Sequence, residues 1–290
     1  MELKENFIFQ IDSELVRTCF SSNNHYYIEY NNDISSNKYL CVIYFSSNEI
    51  YYPNNERIFK RSIIDRNKYE WKKTKYPNAY KHIFIRDIQK QWYVEGVNNN
   101  INSPSKLLDF LRKETKGFKT YTIGSSAGGF AAIYYGCLLE SERIYAFNPQ
   151  FNIFYILNNC DINKNPLLFK HQNKLLDYYR LDTVLKDCKS NIFYFQSCKS
   201  KIDIIQYSLL EYKNKITKIE FKTSNHGFPF LRHNIIDIFL LTEEEIINMS
   251  KNKISPLLFS ITQKGLVKTI HFTIKSIIFR LKKKMYDEKF

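Results

Sequence analysis

Apolar residues fall along this chain in short dense runs, separated by longer segments in which they recur every three or four positions. Residues 39–45 form one continuous run of aromatic and β-branched side chains that stops at Ser46-Ser47-Asn48. A strand buried on both faces and followed by a loop has that pattern. Residues 82–87, 121–124, 143–147, 191–195 and 216–221 read as further strands, with 7–11 and 26–30 as two early ones. Helices are predicted over 105–116, 127–139, 203–212 and 234–248, the first opened by Ser103 with Pro104 in its first turn. Residues 151–189 are irregular and partly helical, an insertion or cap over a site. Strands and helices alternating at this spacing predict an α/β fold, a doubly wound and mostly parallel sheet covered on both faces. Residues 1–250 read as that domain and 251–290 as a separate tail.

Composition narrows the picture. The chain has 290 residues, 44% of them hydrophobic and 16% aromatic, which excludes a disordered protein and suffices for a large core without disulfide or metal staples. Only 8 glycines occur, so a cluster of them is informative. The six cysteines, at 19, 41, 137, 160, 188 and 198, form no C-x-x-C pair and stand mostly in apolar runs. They read as buried free thiols in a reducing compartment, not as a metal site. The opening Met1-Glu-Leu-Lys-Glu is charged, unlike a secretory leader, and no run of about 18 apolar residues occurs to span a bilayer. A cytoplasmic protein is expected.

The net charge is +14, but residues 251–290 carry ten Lys or Arg against two acids, a net +8. The basic character belongs largely to the tail, so no nucleic-acid partner is expected.

The chemistry centres on Gly124-Ser125-Ser126-Ala127-Gly128, a G-x-S-x-G sequence between a predicted strand and a predicted helix. A nucleophile on so sharp a turn needs glycines on either side, because a Cβ there would clash as the chain doubles back. A Gly-Ser turn or a phosphate-binding loop would look similar, but the latter wants a Lys or G-x-G-x-x-G, and neither is present. A serine needs a base. Of six histidines, His226 directly follows the last strand and sits beside Gly227, at the sheet edge where such folds place functional groups; His233 ranks second, and a plain surface or capping role is the alternative. The acid should lie between serine and histidine in the chain. Asp203 does so, just after the strand at 191–195, and otherwise reads as a helix N-cap. Two oxyanion donors are expected, the N–H of Ala127 and a group at Ser46 or Ser47 in the loop after residue 45.

The stretch from Gly124 to Gly136, with Ala146-Phe-Asn-Pro-Gln150, Phe84-Ile-Arg-Asp87, Trp92-Tyr93 and Asn225-His226-Gly227, resembles α/β-hydrolase-like proteins of bacterial capsule and surface-polysaccharide loci, nearest to capsular polysaccharide O-acetyltransferases. The resemblance covers roughly residues 39–240 and implies an α/β-hydrolase-like sheet and double-displacement acyl transfer. Ser126 would take an acetyl group from acetyl-CoA, no cofactor being bound, and a sugar hydroxyl of a polysaccharide or oligosaccharide would accept it. Water as acceptor would make the protein an esterase or deacetylase with the same residues; a relict elbow would make it a non-catalytic assembly or secretion accessory. Trp92 and Tyr93 either stack on a sugar or belong to core or lid. Arg86 and Asp87 either bind substrate or pair with each other.

In the tail, Ile270, Ile274, Ile277, Ile278 and Leu281 recur at helical spacing among Lys268, Lys275 and Lys282–Lys284. Residues 255–290 thus read as a basic amphipathic helix, lying either on an anionic inner-membrane surface or against the domain.

Overall fold

The computed structural model describes residues 7–33 and 36–288, with side chains through residue 278. Met1–Glu5, on which the expectation about a leader rests, and the side chains of Leu281 and Lys282–Lys284 lie outside this set.

Seven strands are present among the described residues: β1 (Tyr26–Tyr30), β2 (Asn37–Phe45), β3 (Ala79–Ile85), β4 (Lys119–Ser125), β5 (Arg143–Phe147), β6 (Asn191–Ser197) and β7 (Ile216–Phe221). They form one sheet in the order β1-β3-β2-β4-β5-β6-β7. β1 runs antiparallel to β3, and every other pair is parallel. The carboxyl ends of β2 through β7 therefore share one edge, and the loops that leave them can meet there.

The sheet is buried on both faces because the strands alternate two apolar sets. Cys41, Ile43 and Phe45 of β2, with Ile83 and Ile85 of β3, pack on Leu107 and Leu111 of helix Pro104–Thr115 and on Ala131 and Tyr135 of helix Ala127–Leu138. Val42 and Tyr44 face the other way, into an aromatic layer with Phe84, Tyr145, Phe147, Phe195 and Phe239. Each such ring taken fully out of water contributes on the order of 1.5–3 kcal/mol.

Four expectations need correction. Residues 7–11 are not a strand; Phe9–Asp12 is a single helical turn. The Asp12 carboxylate accepts the Ile8 N–H at 2.6 Å, and Phe9 packs against Phe59. The helix predicted over 203–212 is Lys201–Ser208, which puts Asp203 in its first turn rather than ahead of it. The helix predicted over 234–248 is two, Ile235–Leu240 and Glu243–Met249. Leu241 is extended, and Thr242 restarts the helix through a reciprocal capping box with Glu245. Finally, the tail does not begin at 251. Ile254 exchanges backbone hydrogen bonds with β7 and its exit, and Phe259 of helix Pro256–Lys264 packs on Phe221 and Phe230. Only the following helix, Leu266–Glu288, leaves the domain. It is held at its start by Thr269 Oγ1 on Ser260 (3.0 Å) and by Phe272 stacked on His233.

Residues 151–189 hold three short helices, Ile153–Asn158, Pro166–His171 and Asp182–Leu185. Tyr178 ties them to the loop after β3 by donating its hydroxyl to Trp92 O at 2.7 Å.

Candidate active site

β4 ends at Ser125 and helix Ala127–Leu138 begins two residues later, so Ser126 alone makes the turn. Its φ of 54° and ψ of −121° lie where a side chain is strained, at a cost of about 1–3 kcal/mol. The turn is held from below by Ser126 N–H donating to Phe147 O at 2.9 Å. The flanking glycines are required by contact: a Cβ on Gly124 would stand 1.9 Å from the carbonyl oxygen of Gly128, and one on Gly128 would stand 2.4 Å from that of Phe45.

The Ser126 hydroxyl projects to within 3.0 Å of His226 Nε2, and His226 Nδ1 lies 2.7 Å from Asp203 Oδ1. Asp203 is fully buried, and its Oδ2 has no hydrogen-bond partner among the described residues. A carboxylate only accepts, so Nδ1 carries the proton and Nε2 presents a lone pair to the serine. The His226 side chain is 39% exposed, which leaves the pair open to an incoming reactant.

The loop carrying His226 is positioned by Asn148, a buried residue with φ of 43° at the exit of β5. Its Nδ2 donates to the carbonyls of Asn225 and Gly227, on either side of His226, and to Ser197 Oγ; its Oδ1 accepts Ser197 N–H at 2.9 Å. Gly227 itself is not forced: its φ is not positive, and a Cβ there would meet nothing closer than 3.9 Å.

A fourth side chain meets the hydroxyl. Gln150, nearly buried, places Nε2 3.0 Å from Ser126 Oγ and 3.1 Å from His226 Nε2, while its Oε1 accepts the indole N–H of Trp92 at 3.3 Å. Hydrophobic period does not single out Asn148 or Gln150; their signal is the Ala146–Gln150 stretch of the resemblance, which assigns neither a role, and their position, since both leave the carboxyl end of the strand beside the elbow strand.

No protein-family model and no curated protein sequence matches the chain. Solved structures do. The capsule O-acetyltransferase of Neisseria meningitidis serogroup A is similar with a TM-score of 0.50 and 18% identity, over 79% of this chain and 93% of that one. A histidine-to-alanine variant of that acetyltransferase in complex with CoA gives 0.45 at 18% identity, over 78% and 92%. An S-formylglutathione hydrolase from Staphylococcus aureus gives 0.46 at 8% identity, over 78% and 92%. The chain has an α/β-hydrolase fold.

Within that fold the oxyanion expectation holds only half its donors ready. Ala127 N–H has no acceptor among the described residues. Ser46 and Ser47 do not offer the second donor. Ser46 N–H donates to Ile85 O at 3.0 Å, and Ser47 N–H donates to Glu70 Oε2 at 2.7 Å. Their hydroxyls are engaged as well: Ser46 Oγ accepts Asp87 N–H and donates to Tyr93 Oη at 3.3 Å, and Ser47 Oγ donates to Glu70 Oε1. Glu70 comes from a loop distant in sequence, which the local pattern at 46–48 cannot reveal.

Arg86, Asp87 and Tyr93 are scaffold rather than substrate contacts, and Arg86 does not pair with Asp87. Arg86 donates to His25 Nδ1 and Lys68 O and stacks on Tyr69. Asp87 accepts four backbone N–H groups, from Gln89, Lys90, Gln91 and Tyr93. Tyr93 is buried and donates to Ser46 O at 2.9 Å. Trp92 is buried too, so it offers no face for a sugar and reaches the site only through Gln150. His233, the second-ranked base, lies on Ser260 Oγ at 2.8 Å beside the C-terminal helices. Of the cysteines, 19, 41, 137 and 188 are buried, 160 and 198 are partly exposed, and all are free. Among the described residues no group of three or more His, Cys, Asp or Glu side chains is placed to hold a metal ion.

Proposed function

We propose that this protein transfers an acyl group through Ser126, with His226 as base and acid and Asp203 holding the imidazole's tautomer, and that a hydroxyl of a capsular or surface polysaccharide accepts it. The observation that carries the reading is the continuous relay of 3.0 Å and 2.7 Å at an elbow serine in the strained conformation. Ser126 Oγ bonds to the donor's carbonyl carbon as its proton passes to His226 Nε2 and the carbonyl electron pair moves onto oxygen. Collapse of the adduct expels the leaving group, which takes the proton from His226 and leaves an ester on Ser126. A sugar hydroxyl then gives its proton to His226 as it attacks that ester, and collapse of the adduct breaks the bond to Ser126 Oγ, which takes the proton back from His226. Asp203 stabilises the imidazolium in both halves.

Acetyl-CoA as donor and a polysaccharide as acceptor are what the sequence resemblance implies, and the acetyltransferase likeness agrees in fold. The exposure of His226 favours weighing water as acceptor too, which gives an esterase or deacetylase. Incubating the protein with acetyl-CoA and measuring its intact mass should show one added acetyl group, absent in Ser126→Ala. Added polysaccharide should then carry the acetyl group away. Release of acetate alone would establish the esterase reading. No acyl-enzyme, no ester turnover and no labelling by an active-serine probe would leave the assembly-accessory reading.

For the C-terminal helix Leu266–Glu288 we propose an anionic membrane surface as partner, placing a cytoplasmic protein peripherally at the inner membrane. Ile270, Ile274, Ile277 and Ile278 are exposed, and the like charge of the tail opposes pairing with a second copy. No helix among the described residues is long and apolar enough to cross a membrane. Protein lacking 266–290 should lose binding to phosphatidylglycerol vesicles and keep acyl transfer. Unchanged vesicle binding rejects the idea, and a dimer that disappears with the truncation would point to a second copy instead.

A further inference from the structure

An oxyanion that forms next to Ser126 needs two donors aimed at it. Ala127 N–H is one. Ser46 and Ser47, which open the loop after β2, have given their N–H groups to Ile85 O and Glu70 Oε2. Gln150 has what those two residues lack. Its amide is nearly buried and sits within hydrogen-bond reach of both reacting atoms, Ser126 Oγ and His226 Nε2. Its orientation is not free to invert. The indole N–H of Trp92 only donates, so the group facing it at 3.3 Å must be Oε1, which also lies 3.3 Å from Ser126 Oγ, and Nε2 takes the nearer places, 3.0 Å from the serine oxygen and 3.1 Å from His226 Nε2. The backbone behind it is tied down as well, with Phe151 and Asn152 N–H both donating to Gln206 Oε1.

We propose that Gln150 is the second oxyanion donor, held in register by Trp92. The inference rests on the acyl-transfer reading of Ser126. At rest one N–H of the amide has a neutral acceptor, the Oγ lone pair, and the other competes with the serine hydroxyl for the single lone pair of His226 Nε2. When Oγ bonds to the carbonyl carbon its proton passes to Nε2, which becomes a donor and can no longer accept from Gln150. Oγ becomes part of a C–O bond and a weaker acceptor. In the same step the carbonyl oxygen, one bond beyond the carbon on Oγ, takes up the electron pair and the negative charge. The amide thus exchanges two neutral partners for a charged one at the moment the barrier is crossed. An interaction stronger in the transition state than in the resting site raises kcat rather than tightening substrate binding. A charge-assisted bond is roughly twice as strong as a neutral one.

The test uses the full chain with p-nitrophenyl acetate as acyl donor and phenylboronic acid as a tetrahedral mimic on the serine. Gln150→Ala and the isosteric Gln150→Glu should each lower kcat by about 10²–10³-fold with KM little changed. Boronate affinity should weaken in step with kcat. Trp92→Phe keeps an aromatic ring but loses the pyrrole half with its N–H, and should lower kcat less, by releasing the amide to rotate. If Gln150→Ala fails to fold, Gln150→Glu carries the measurement. Wild-type kcat in the Gln150 variants, beside an inactive Ser126→Ala, overturns the assignment and leaves the acyl-transfer reading standing. A lower kcat with unmoved boronate affinity also overturns it, because a group that merely supports packing would not track a tetrahedral adduct. Absence of any Ser126-dependent turnover in the native protein removes the reading and the inference together.

Discussion

Two buried carboxylates stand at the carboxyl edge of this sheet, and they are used in opposite ways. Asp87, at the exit of β3, is saturated by four backbone N–H groups at 2.7–3.0 Å. Those bonds close a strap in which Lys90, Trp92 and Tyr93 all adopt positive φ, a run that non-glycine residues do not hold without such support. Burial still pushes the Asp87 carboxyl above its ordinary range, against the pull of those bonds. The carboxylate of Asp203, after β6, has a single partner among the described residues, the imidazole of His226, and one oxygen with none. A carboxylate whose acceptors are filled by fixed N–H groups stabilises a backbone shape. One whose only partner can take up a proton makes its strongest interaction when that partner is charged, which is a transient of acyl transfer. Depth of burial does not separate the two roles; the identity of the donors does.

The largest effect that would break this contrast is on activity at Asp203. Asp203→Asn keeps the shape but permits the wrong imidazole tautomer, and kcat should fall by about 10³–10⁴-fold with the unfolding midpoint little changed. Steady-state rates on an acetyl ester beside thermal unfolding decide it; near-native kcat would return Asp203 to a mere first-turn residue. Asp87→Ala should do the reverse. Four buried N–H groups lose their acceptor, at about 1–3 kcal/mol for each group left unsatisfied, so several kcal/mol of stability should go, read as a lower urea midpoint. Activity per folded molecule should fall no further than in Trp92→Phe, since the strap reaches the relay through Trp92 on Gln150. A stable Asp87→Ala that loses more than that would make the rest of the strap part of the chemistry.

How much of this could be read in the sequence depended on whether the constraint is local. The elbow is local: Gly124 and Gly128 answer to carbonyls that the turn itself brings close. The convergence of Ser126, Asp203 and His226 follows from parallel order, because each leaves the same edge of one sheet. Asn148 and Gln150 follow the same rule and stand in a stretch that carries the resemblance, but Asn and Gln have no chemical signature that would assign either a role. Ser46 and Ser47 misled for a different reason. Their spacing from β2 suits oxyanion donors, but a glutamate some twenty residues on takes up the N–H of Ser47, and no local pattern records that. The break at Leu241 is encoded in Thr242-x-x-Glu245, yet apolar periodicity runs across it and masks it. The strap is the least legible part, since a chain of Gln, Lys, Trp and Tyr gives no hint that one carboxylate will order it.

A smaller effect sharpens the contrast from the scaffold side. His25 is tied to Arg86, the residue before Asp87, with Nδ1 accepting the Arg86 Nε–H at 3.1 Å, so the ring is held neutral from that nitrogen. Burial, with the Arg86 charge adding to it, pushes His25 down to about 4. Burial does the same to His82 in β3, also to about 4, with the Lys75 charge adding to it. In the unfolded chain both rings titrate near the ordinary value of about 6.5. Between these limits the unfolded state binds protons that the folded state refuses, so stability falls as pH drops from about 6.5 towards 4 and flattens below that. Above about 6.5 both states are neutral at these rings and the contribution is complete. Urea midpoints measured from pH 7 to pH 4 should decline across that window, and His25→Gln should shallow the decline while leaving the acyl-transfer rate per folded molecule unchanged. A midpoint that does not move with pH, or a His25 variant that folds normally and loses its rate, would show that the strap and the relay are not the separate devices their hydrogen bonds describe.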